Sequence, residues 1–589
     1  MAGRSEIVVR FAGEGGQGVV TAAEMMARVA TGVGYHALTF ATFPSQIIGG
    51  PTWTQARISK VPVHSPGDFI DILVAFNDEA YQEHRVDVRE GGVIMLDPAV
   101  TPDTSDSAHR CIVVPFDELA KQTGESRAAN MVVMGGLSKL VNMPLDFFKE
   151  FVAKRFAGRE GVVEANHMAL DLGIAAVANE ASIADLGKPD KPAYDQLFIK
   201  GNEAVSTGAM HAGLDFYIGY PISPATPILT YLERNLVGPG KAALQASSEI
   251  ESITGVLGAS FTGKKAMTAT SGPGFTLMGE GIGLGWMTEI PAVIIDVQRG
   301  GPATGLPTKT EQSDLLTALS PAHGDARMPV IAPGTVEECF YATVTAFNWA
   351  ERYQGPVMLL TEASLAERAQ NIPKPDLSKV PVESRSLYTG DNGYLRYDTW
   401  EVSPMPVPGK PGAYVANGSE HDSFGDTTHL PSRHVQMTER RFSKLKLLED
   451  GDYERENASA TIAIMPWGGS KGPVWDAYRQ LTAEGVNAAW YYTMFVNPMP
   501  PALVEELRAK DLVIVPELNY LGQMALVLRS MGIKAEAITQ YTGLPFKVGE
   551  LSERIKERMG SAGGGGNGRS KNGSKQRNGA KQKPKAVKA

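Results

Sequence analysis

Short apolar runs alternate with longer amphipathic ones along most of the chain. In residues 6–185 the apolar runs are Ile7 to Phe11, Ala37 to Thr42, Ile70 to Phe76, Val93 to Leu96 and Cys111 to Val114. A helical pattern spans Val19 to Val33. This is the rhythm of a wound α/β domain, because strands buried on both faces read as continuous apolar runs. Lys188-Pro-Asp-Lys-Pro192 reads as a linker, placed at 188–196. The rhythm resumes over 197–370, through Leu214 to Gly219, Lys265 to Ala269, Ala292 to Val297, Pro329 to Ala332 and Val357 to Thr361. A Pro/Gly-rich stretch from Pro373 to His434 has no clear period and predicts an extended wrap over a surface, that of this chain or of a partner. Residues 435–456 read as charged helix, closing a connecting region of 371–456. Thr461 to Pro466 and Leu512 to Val515 open a third α/β unit at 457–558. The expected fold class is therefore α/β: three wound domains, at 1–187, 197–370 and 457–558. A Gly- and Lys-rich tail at 559–589 is expected to be disordered.

In an open parallel sheet the strand carboxyl ends share one edge, and ligands bind there. Four strand ends of the second unit carry polar turns. They are Tyr220-Pro-Ile-Ser-Pro-Ala-Thr-Pro227, Gln245-Ala-Ser-Ser-Glu249, Thr268-Ala-Thr-Ser-Gly-Pro-Gly-Phe275 and Gln298-Arg-Gly-Gly301. Ser223, Thr226, Glu249, Ser271 and Arg299 thus fall at one expected crevice. Glu249 also suits a structural role, since an acid favours a helix start and Ser248-Glu-Ile-Glu251 reads as a capping box. Arg299 suits a substrate carboxylate, which its planar fork can grip bidentately, and equally a structural ion pair. Four glycines in Gly279 to Gly285 point to close approach by a ligand or another helix.

Gly13-Glu-Gly-Gly-Gln-Gly18 lies between a strand and a helix, where backbone N–H groups can receive a phosphate. No acid follows the next strand before Asp68, which disfavours NAD. Another phosphate-bearing ligand and a simple packing turn both remain open. Ile48-Gly-Gly-Pro51 is a second wall of that site or a turn. His421, His429 and His434 match no tight metal spacing, and no metal site is expected.

Composition narrows the function. The net charge is −9 although residues 560–589 hold eight Lys/Arg and no acid, so the remainder is more acidic still. Nucleic acid is not an expected partner. Two cysteines, Cys111 and Cys339, cannot by themselves hold an iron–sulfur cluster of the usual four thiolates. No run is long enough to span a membrane and the first residues lack a signal core, so a cytoplasmic location is expected.

Taken together these motifs resemble the α subunits of 2-oxoacid:ferredoxin oxidoreductases in the form with a γ domain fused ahead. Gly-Glu-Gly-Gly-Gln-Gly-Val near the start is similar to the γ signature. Tyr-Pro-Ile-Ser-Pro-Ala-Thr-Pro, Thr-Ala-Thr-Ser-Gly-Pro-Gly-Phe, Val-Gln-Arg-Gly-Gly-Pro and Pro516-Glu-Leu-Asn-Tyr-Leu-Gly-Gln523 resemble further family signatures. Gly305-Leu-Pro-Thr-Lys-Thr-Glu-Gln312 is similar to the branch that uses 2-oxoglutarate.

The resemblance implies a thiamine diphosphate enzyme. It decarboxylates 2-oxoglutarate oxidatively, forms succinyl-CoA from coenzyme A, and passes electrons to ferredoxin. It implies a pyrimidine-binding domain at 197–370 and a transketolase C-terminal-like domain at 457–558. Glu249 aligns with the catalytic glutamate that hydrogen-bonds the aminopyrimidine. Ser223 and Arg299, with Thr226, align with the substrate-carboxylate grip; Ser223 stands where Thr is common, keeping the hydroxyl and losing a methyl. Tyr220, Pro221, Ile222, Ser271, Gly272, Pro273 and Gly274 would line the cofactor, and Gly13, Gly15, Gly16, Gln17 and Gly18 would hold coenzyme A. The family's Gly-Asp-Gly…Asn pattern for magnesium and diphosphate is absent. Mg2+ and a [4Fe-4S] cluster are therefore expected on a β subunit, in an α2β2 assembly. The rival readings are the same chemistry on pyruvate or a branched or aryl 2-oxoacid, and a non-catalytic dinucleotide- or acyl-CoA-binding regulatory module.

Overall fold

The computed structural model describes residues 6–44, 49–125, 128–186, 189, 195–400 and 402–563. Most of the expected linker and the tail beyond Gly563 lie outside the described residues.

Strands β1 (Glu6–Glu14), β2 (His36–Thr42), β3 (Pro51–Ser59), β4 (Ile70–Ala75), β5 (Val88–Leu96), β6 (Arg110–Val113) and β7 (Gln196–Lys200) belong to a first sheet. A second sheet holds β8 (Phe216–Gly219), β9 (Ala242–Gln245), β10 (Ala266–Thr270), β11 (Ala292–Gln298), β12 (Val330–Ile331) and β13 (Pro356–Glu362). The chain then returns to the first sheet as β14 (Ala369–Pro373). The third sheet is built from β15 (Glu454–Glu456), β16 (Ile462–Ile464) and β17 (Ala489–Tyr492). After β18 (Phe495–Asn497), which pairs with β12 instead, come its last strands, β19 (Leu512–Glu517) and β20 (Ala535–Thr539). The α/β reading holds: the second and third sheets are mostly parallel, and the first is mixed.

The first sheet departs from a purely wound one. Its order is β6-β5-β4-β1-β3-β2-β14-β7, and β3 runs antiparallel between β1 and β2. The sequence disguises β3 because its buried positions include Thr52, Thr54 and Gln55. Burial of Gln55 is tolerated because it finds partners: it accepts from Arg10 Nε at 3.0 Å and Nη2 at 2.8 Å, and donates to the Pro66 carbonyl at 2.6 Å. Strands β7 and β14 extend this sheet from the far side of the second unit, so the first two units are stitched by main-chain pairing.

In the second sheet β9, β8, β10, β11, β13 and β12 are all parallel neighbours. Its apolar core runs on without a break into the third unit, through Trp467, Tyr491 and Val513. The glycines at 279–285 lie on the helix Gly279–Thr288, and two of them, Gly281 and Gly285, admit another helix. A Cβ at Gly281 would fall 2.5 Å from Ile253 Cγ2, and one at Gly285 would fall 3.0 Å from Leu257 Cδ2, both on the helix Glu249–Phe261.

The Pro/Gly-rich stretch wraps this chain's own surface. Arg396, fully buried, donates to the Glu289 carbonyl at 3.0 Å, and Tyr397 Oη donates to the Thr288 carbonyl at 3.0 Å. Arg433 ties the wrap to itself through the His421 and Tyr397 carbonyls, at 3.0 and 2.7 Å. The helix that follows starts four residues earlier than its periodicity suggests, at Pro431, and ends at Ser443. The last helix, Val548–Gly563, runs past the predicted start of the tail. Asp68 accepts from Val548 N at 2.6 Å and Gly549 N at 2.7 Å, so an acid of the first unit caps a helix of the third.

Candidate active site

The four predicted turns stand at one edge of the second sheet, because β8, β9, β10 and β11 point the same way. After β8 the chain turns through Tyr220, Pro221 and Ile222 into a cis Ser223–Pro224 bond. The turn closes on itself: Ala225 N and Thr226 N donate to the Ile222 carbonyl at 2.8 and 2.9 Å. Helix Thr226–Asn235 follows. From the next strand end but one, Arg299 reaches back and donates from Nη1 to the Ser223 carbonyl at 2.7 Å. The structure therefore brings the two expected carboxylate-gripping residues together through a hydrogen bond. Burial lowers the Arg299 pKa, opposed by the nearby Asp296 and Asp314. Its Nε has no partner among the described residues.

Glu249 is the first residue of its helix and is buried. Ser248 caps that helix by accepting from Glu251 N at 3.2 Å. The expected capping box is only half made, because the Glu251 carboxylate turns to Ser247 instead, at 2.6 Å from its N. Capping duty thus falls on Ser248 and Glu251, which leaves Glu249 free of it. The Glu249 carboxylate packs against the turn after β10. A Cβ at Gly274 would collide with Glu249 Oε1 and Thr270 Oγ1, and one at Gly272 would lie 2.9 Å from Asp314 Oδ2. Glycine is required at both places because neighbouring polar side chains occupy the space. Ser271, fully buried, has an Oγ without a partner among the described residues, as does Thr268. Pro273 sits inside the first turn of Gly272–Leu277, where its missing N–H costs nothing.

The residues present suit the pyrimidine half of thiamine diphosphate. A buried carboxylate, an orphaned hydroxyl and a glycine-cleared turn face one edge. Among the described residues no three His, Cys, Asp or Glu side chains gather as a metal site. Cys111 and Cys339 are free thiols, the second buried. His421 bonds the Ser419 carbonyl at 2.9 Å and lies against Tyr397, His434 pairs with Glu420 at 2.7 Å, and His429 is exposed.

Ser223 and Thr226 line a cavity of about 300 Å³ whose other walls come from all three units. Phe40 to Phe43 enter from the end of β2, Pro307, Thr308 and Thr310 from the loop after β11, and Gly543 from the third unit. Thr308 Oγ1 fastens the wall by donating to the Phe43 carbonyl at 2.7 Å. Sequence reading quoted the segment that holds Pro307, Thr308 and Thr310 but did not place it beside Ser223, and it missed Phe40 to Phe43 and Gly543, since no local pattern shows which distant segments close on a turn. Two quoted motifs turn out to dock on each other. Gln312 Nε2 donates to the Trp467 carbonyl at 2.7 Å, and its Oε1 accepts from Leu518 N at 2.9 Å. Glu517, fully buried, accepts from Asn519 Nδ2 at 2.8 Å and Met524 N at 2.9 Å, so it anchors the helix Gln523–Ser530.

The Gly13–Gly18 loop ends β1 and begins the helix Val19–Val33 with Gly18 at φ 76°. Gln17 folds inward, its Oε1 accepting from Glu14 N at 2.7 Å. Gly15 N donates to the Gly50 carbonyl at 3.2 Å, so the second glycine pair forms a wall of the loop. A Cβ at Gly16 would meet nothing within 4 Å among the described residues, which leaves that backbone open to approach. Among the described residues the helix start has no side-chain cap. These glycines do not line the cavity at Ser223, but β1 and β2 point the same way, each antiparallel to β3, so the loop and Phe43 share a sheet edge.

Comparison with known proteins shows the family to which the fold belongs. Residues 207–440 match the family model of the pyruvate flavodoxin/ferredoxin oxidoreductase thiamine diphosphate-binding domain, and 8–176 that of pyruvate ferredoxin/flavodoxin oxidoreductase. The α subunit of 2-oxoacid:ferredoxin oxidoreductase 2 from Aeropyrum pernix is 30% identical, over 94% of this chain and 97% of that one. The KorA subunit of 2-oxoglutarate oxidoreductase from Mycobacterium tuberculosis is 31% identical, over 93% and 91%. A solved 2-oxoglutarate:ferredoxin oxidoreductase from Magnetococcus marinus, with 2-oxoglutarate, coenzyme A and succinyl-CoA bound, superposes with a TM-score of 0.89 and 37% identity, over 94% of this chain and all of that one. On the strength of matching fold, motifs and near full-length similarity, the chain belongs to the 2-oxoacid:ferredoxin oxidoreductase α-subunit family.

Proposed function

We propose that this chain is the α subunit of a cytoplasmic 2-oxoglutarate:ferredoxin oxidoreductase, active when paired with a β subunit. What carries the reading is the buried Glu249 carboxylate against the Gly274 turn, at the edge where Arg299 meets Ser223. Thiamine diphosphate, when bound, supplies the nucleophilic carbon and the electron sink for decarboxylation. Glu249 would hold a hydrogen bond to the aminopyrimidine ring nitrogen and thereby favour its imino form. Ser271, Gly272, Pro273 and Gly274, with Tyr220, Pro221 and Ile222, would line that ring. Arg299 and the hydroxyls of Ser223 and Thr226 would hold the substrate's 1-carboxylate. The loop Gly13–Gly18, including Gly15, Gly16 and Gln17, would receive a phosphate of coenzyme A at its open backbone and uncapped helix start. The β subunit would contribute Mg2+, the diphosphate contacts and a [4Fe-4S] cluster that passes electrons to ferredoxin, in an α2β2 complex.

Co-expression with a β-type chain tests this. A complex that reduces a viologen dye only with 2-oxoglutarate and coenzyme A together, yielding succinyl-CoA, supports it. Absence of coenzyme A-dependent turnover with any 2-oxoacid overturns it. One observation favours a second reading on the same chemistry. The cavity at Ser223 is walled largely by Phe40, Ala41, Phe43, Pro224, Pro227, Pro307 and Ala363, with Glu367 its only charged wall among the described residues. That lining suits an uncharged branched or aryl 2-oxoacid, which the same assay distinguishes by relative kcat/KM.

A further inference from the structure

Asp296 is the third residue from the end of β11 and is fully buried, yet neither carboxylate oxygen meets an N–H or O–H donor among the described residues. A buried carboxylate left so is costly unless something compensates it. The partner it does approach is the side chain of Asp314, on the loop after β11. Two carboxylates can share a hydrogen bond only if one holds a proton. Asp314 is placed there by its own backbone, whose N–H donates to Gln298 Oε1 at 3.1 Å, and by Gly272, whose missing Cβ leaves room for Oδ2. The charged groups around the pair are few. Arg299 follows on the same strand end, and Glu311 lies on Asp314's loop. The neighbouring strands present Thr270 and Leu360 opposite Asp296, neither of which titrates in this range, and Glu362 opposite Gln298. On the next turn Glu249 packs against Thr270 and Gly274.

We propose that Asp296 and Asp314 share one proton behind Arg299 and act as positioning residues that set how strongly its guanidinium binds the substrate's 1-carboxylate. The inference rests on the reading of Arg299 given above. With one proton held, the pair carries a single negative charge that competes with substrate for Arg299. A second proton abolishes that charge and frees the guanidinium. Burial raises the pKa of both carboxyls, with repulsion from Asp314 adding to it at Asp296 and from Glu311 at Asp314, which goes up to about 6, and this puts the second protonation within a testable range. By linkage, substrate binding must then draw a proton onto the pair.

The experiment uses the chain assembled with its β subunit and 2-oxoglutarate as probe. KM should fall roughly fivefold or more as pH is lowered from about 7.5 to 5.5, with kcat changing independently. Calorimetry in buffers of different ionisation enthalpy should show proton uptake on substrate binding near the same midpoint. Asp314→Asn, which keeps a hydrogen bond to Asp296, should flatten the KM profile and abolish the uptake. Asp296→Asn should do the same and stands in should the first variant fail to assemble. A wild-type KM independent of pH, no proton uptake, or a wild-type profile in both variants overturns the proposal. Arg299→Met separates the two levels: an unchanged KM there refutes the reading of Arg299 itself, whereas a raised KM with wild-type pH behaviour in the aspartate variants refutes the pair alone.

Discussion

Arg299 Nη1 and the carbonyl oxygen of Ser223 are joined at 2.7 Å, although 76 residues separate them in sequence. The bond makes the arginine both a fastening of the turn and a candidate for substrate binding. It also defines what each substitution removes.

Arg299→Met should raise KM for the 2-oxoacid strongly while cofactor content stays near normal. Loss of a charge-assisted contact in a desolvated pocket costs roughly 2–4 kcal/mol. Arg299→Lys should restore the charge but not the fork, and recover only part of the loss. Steady-state kinetics with cofactor quantification decides.

Glu249→Gln should lower turnover by about 10²–10⁴-fold, the usual range for a lost acid–base group. The helix should remain, because Ser248 and Glu251 make the capping contacts. Exchange of the thiazolium proton with deuterated water should slow in parallel. Gly274→Ala should mimic the defect by pushing a methyl group into the same carboxylate. Fast exchange in both assembled variants would reduce Glu249 to a helix-start acid.

At Gly15 a Cβ would lie 3.4 Å from the Gly49 carbonyl oxygen, an ordinary contact, so the loop should accept a side chain without unfolding. Gly15→Val should therefore impair acyl transfer to coenzyme A more than decarboxylation measured with an artificial acceptor. Equal rates for both steps would make the loop a packing turn.

Glu362 at the end of β13 is fully buried near the Gly469 backbone and Arg368, and desolvation raises its pKa from 4.5 to about 7. The unfolded chain releases this proton first, so stability contributed by the protonated form is present below about pH 4.5 and declines as pH rises toward 7. The loss amounts to about 3 kcal/mol. Glu362→Gln carries no such proton, and its thermal midpoint should fall less between pH 5 and 8 than that of the parent chain. An equal fall in both would refute this.

Glu289 is buried between Arg440 (2.9 Å) and Lys444 (2.8 Å), which hold its carboxyl well below the ordinary range. Glu289→Gln would strand two buried cations, at about 3–5 kcal/mol. Because the wrap over 373–434 bonds to the Thr288 and Glu289 carbonyls, it should become the first site of limited proteolysis. Unchanged protease resistance would show that the wrap is held by its other contacts.

The sequence by itself determined the elements and the strand-end turns. Apolar runs bounded by Ser, Gly and Pro mark β8, β10 and β11 and the residues just past them, because burial and turn chemistry act over a few neighbours. It therefore sufficed to single out Ser223, Glu249, Ser271 and Arg299. Only the tertiary structure decided what these residues meet. β3 escaped notice because its buried positions are partly polar, Gln55 being satisfied by Arg10, 45 residues away. The stitching of β7 and β14 onto the first sheet, the Phe40–Phe43 wall beside Ser223, and the closure of the Pro-rich wrap on Glu289 all depend on contacts distant in sequence. So does the meeting of Asp296 with Asp314, whose shared proton has no signature in local pattern. Periodicity records which face of an element is buried. It carries no record of the partner across that face, which is set by how the three sheets pack.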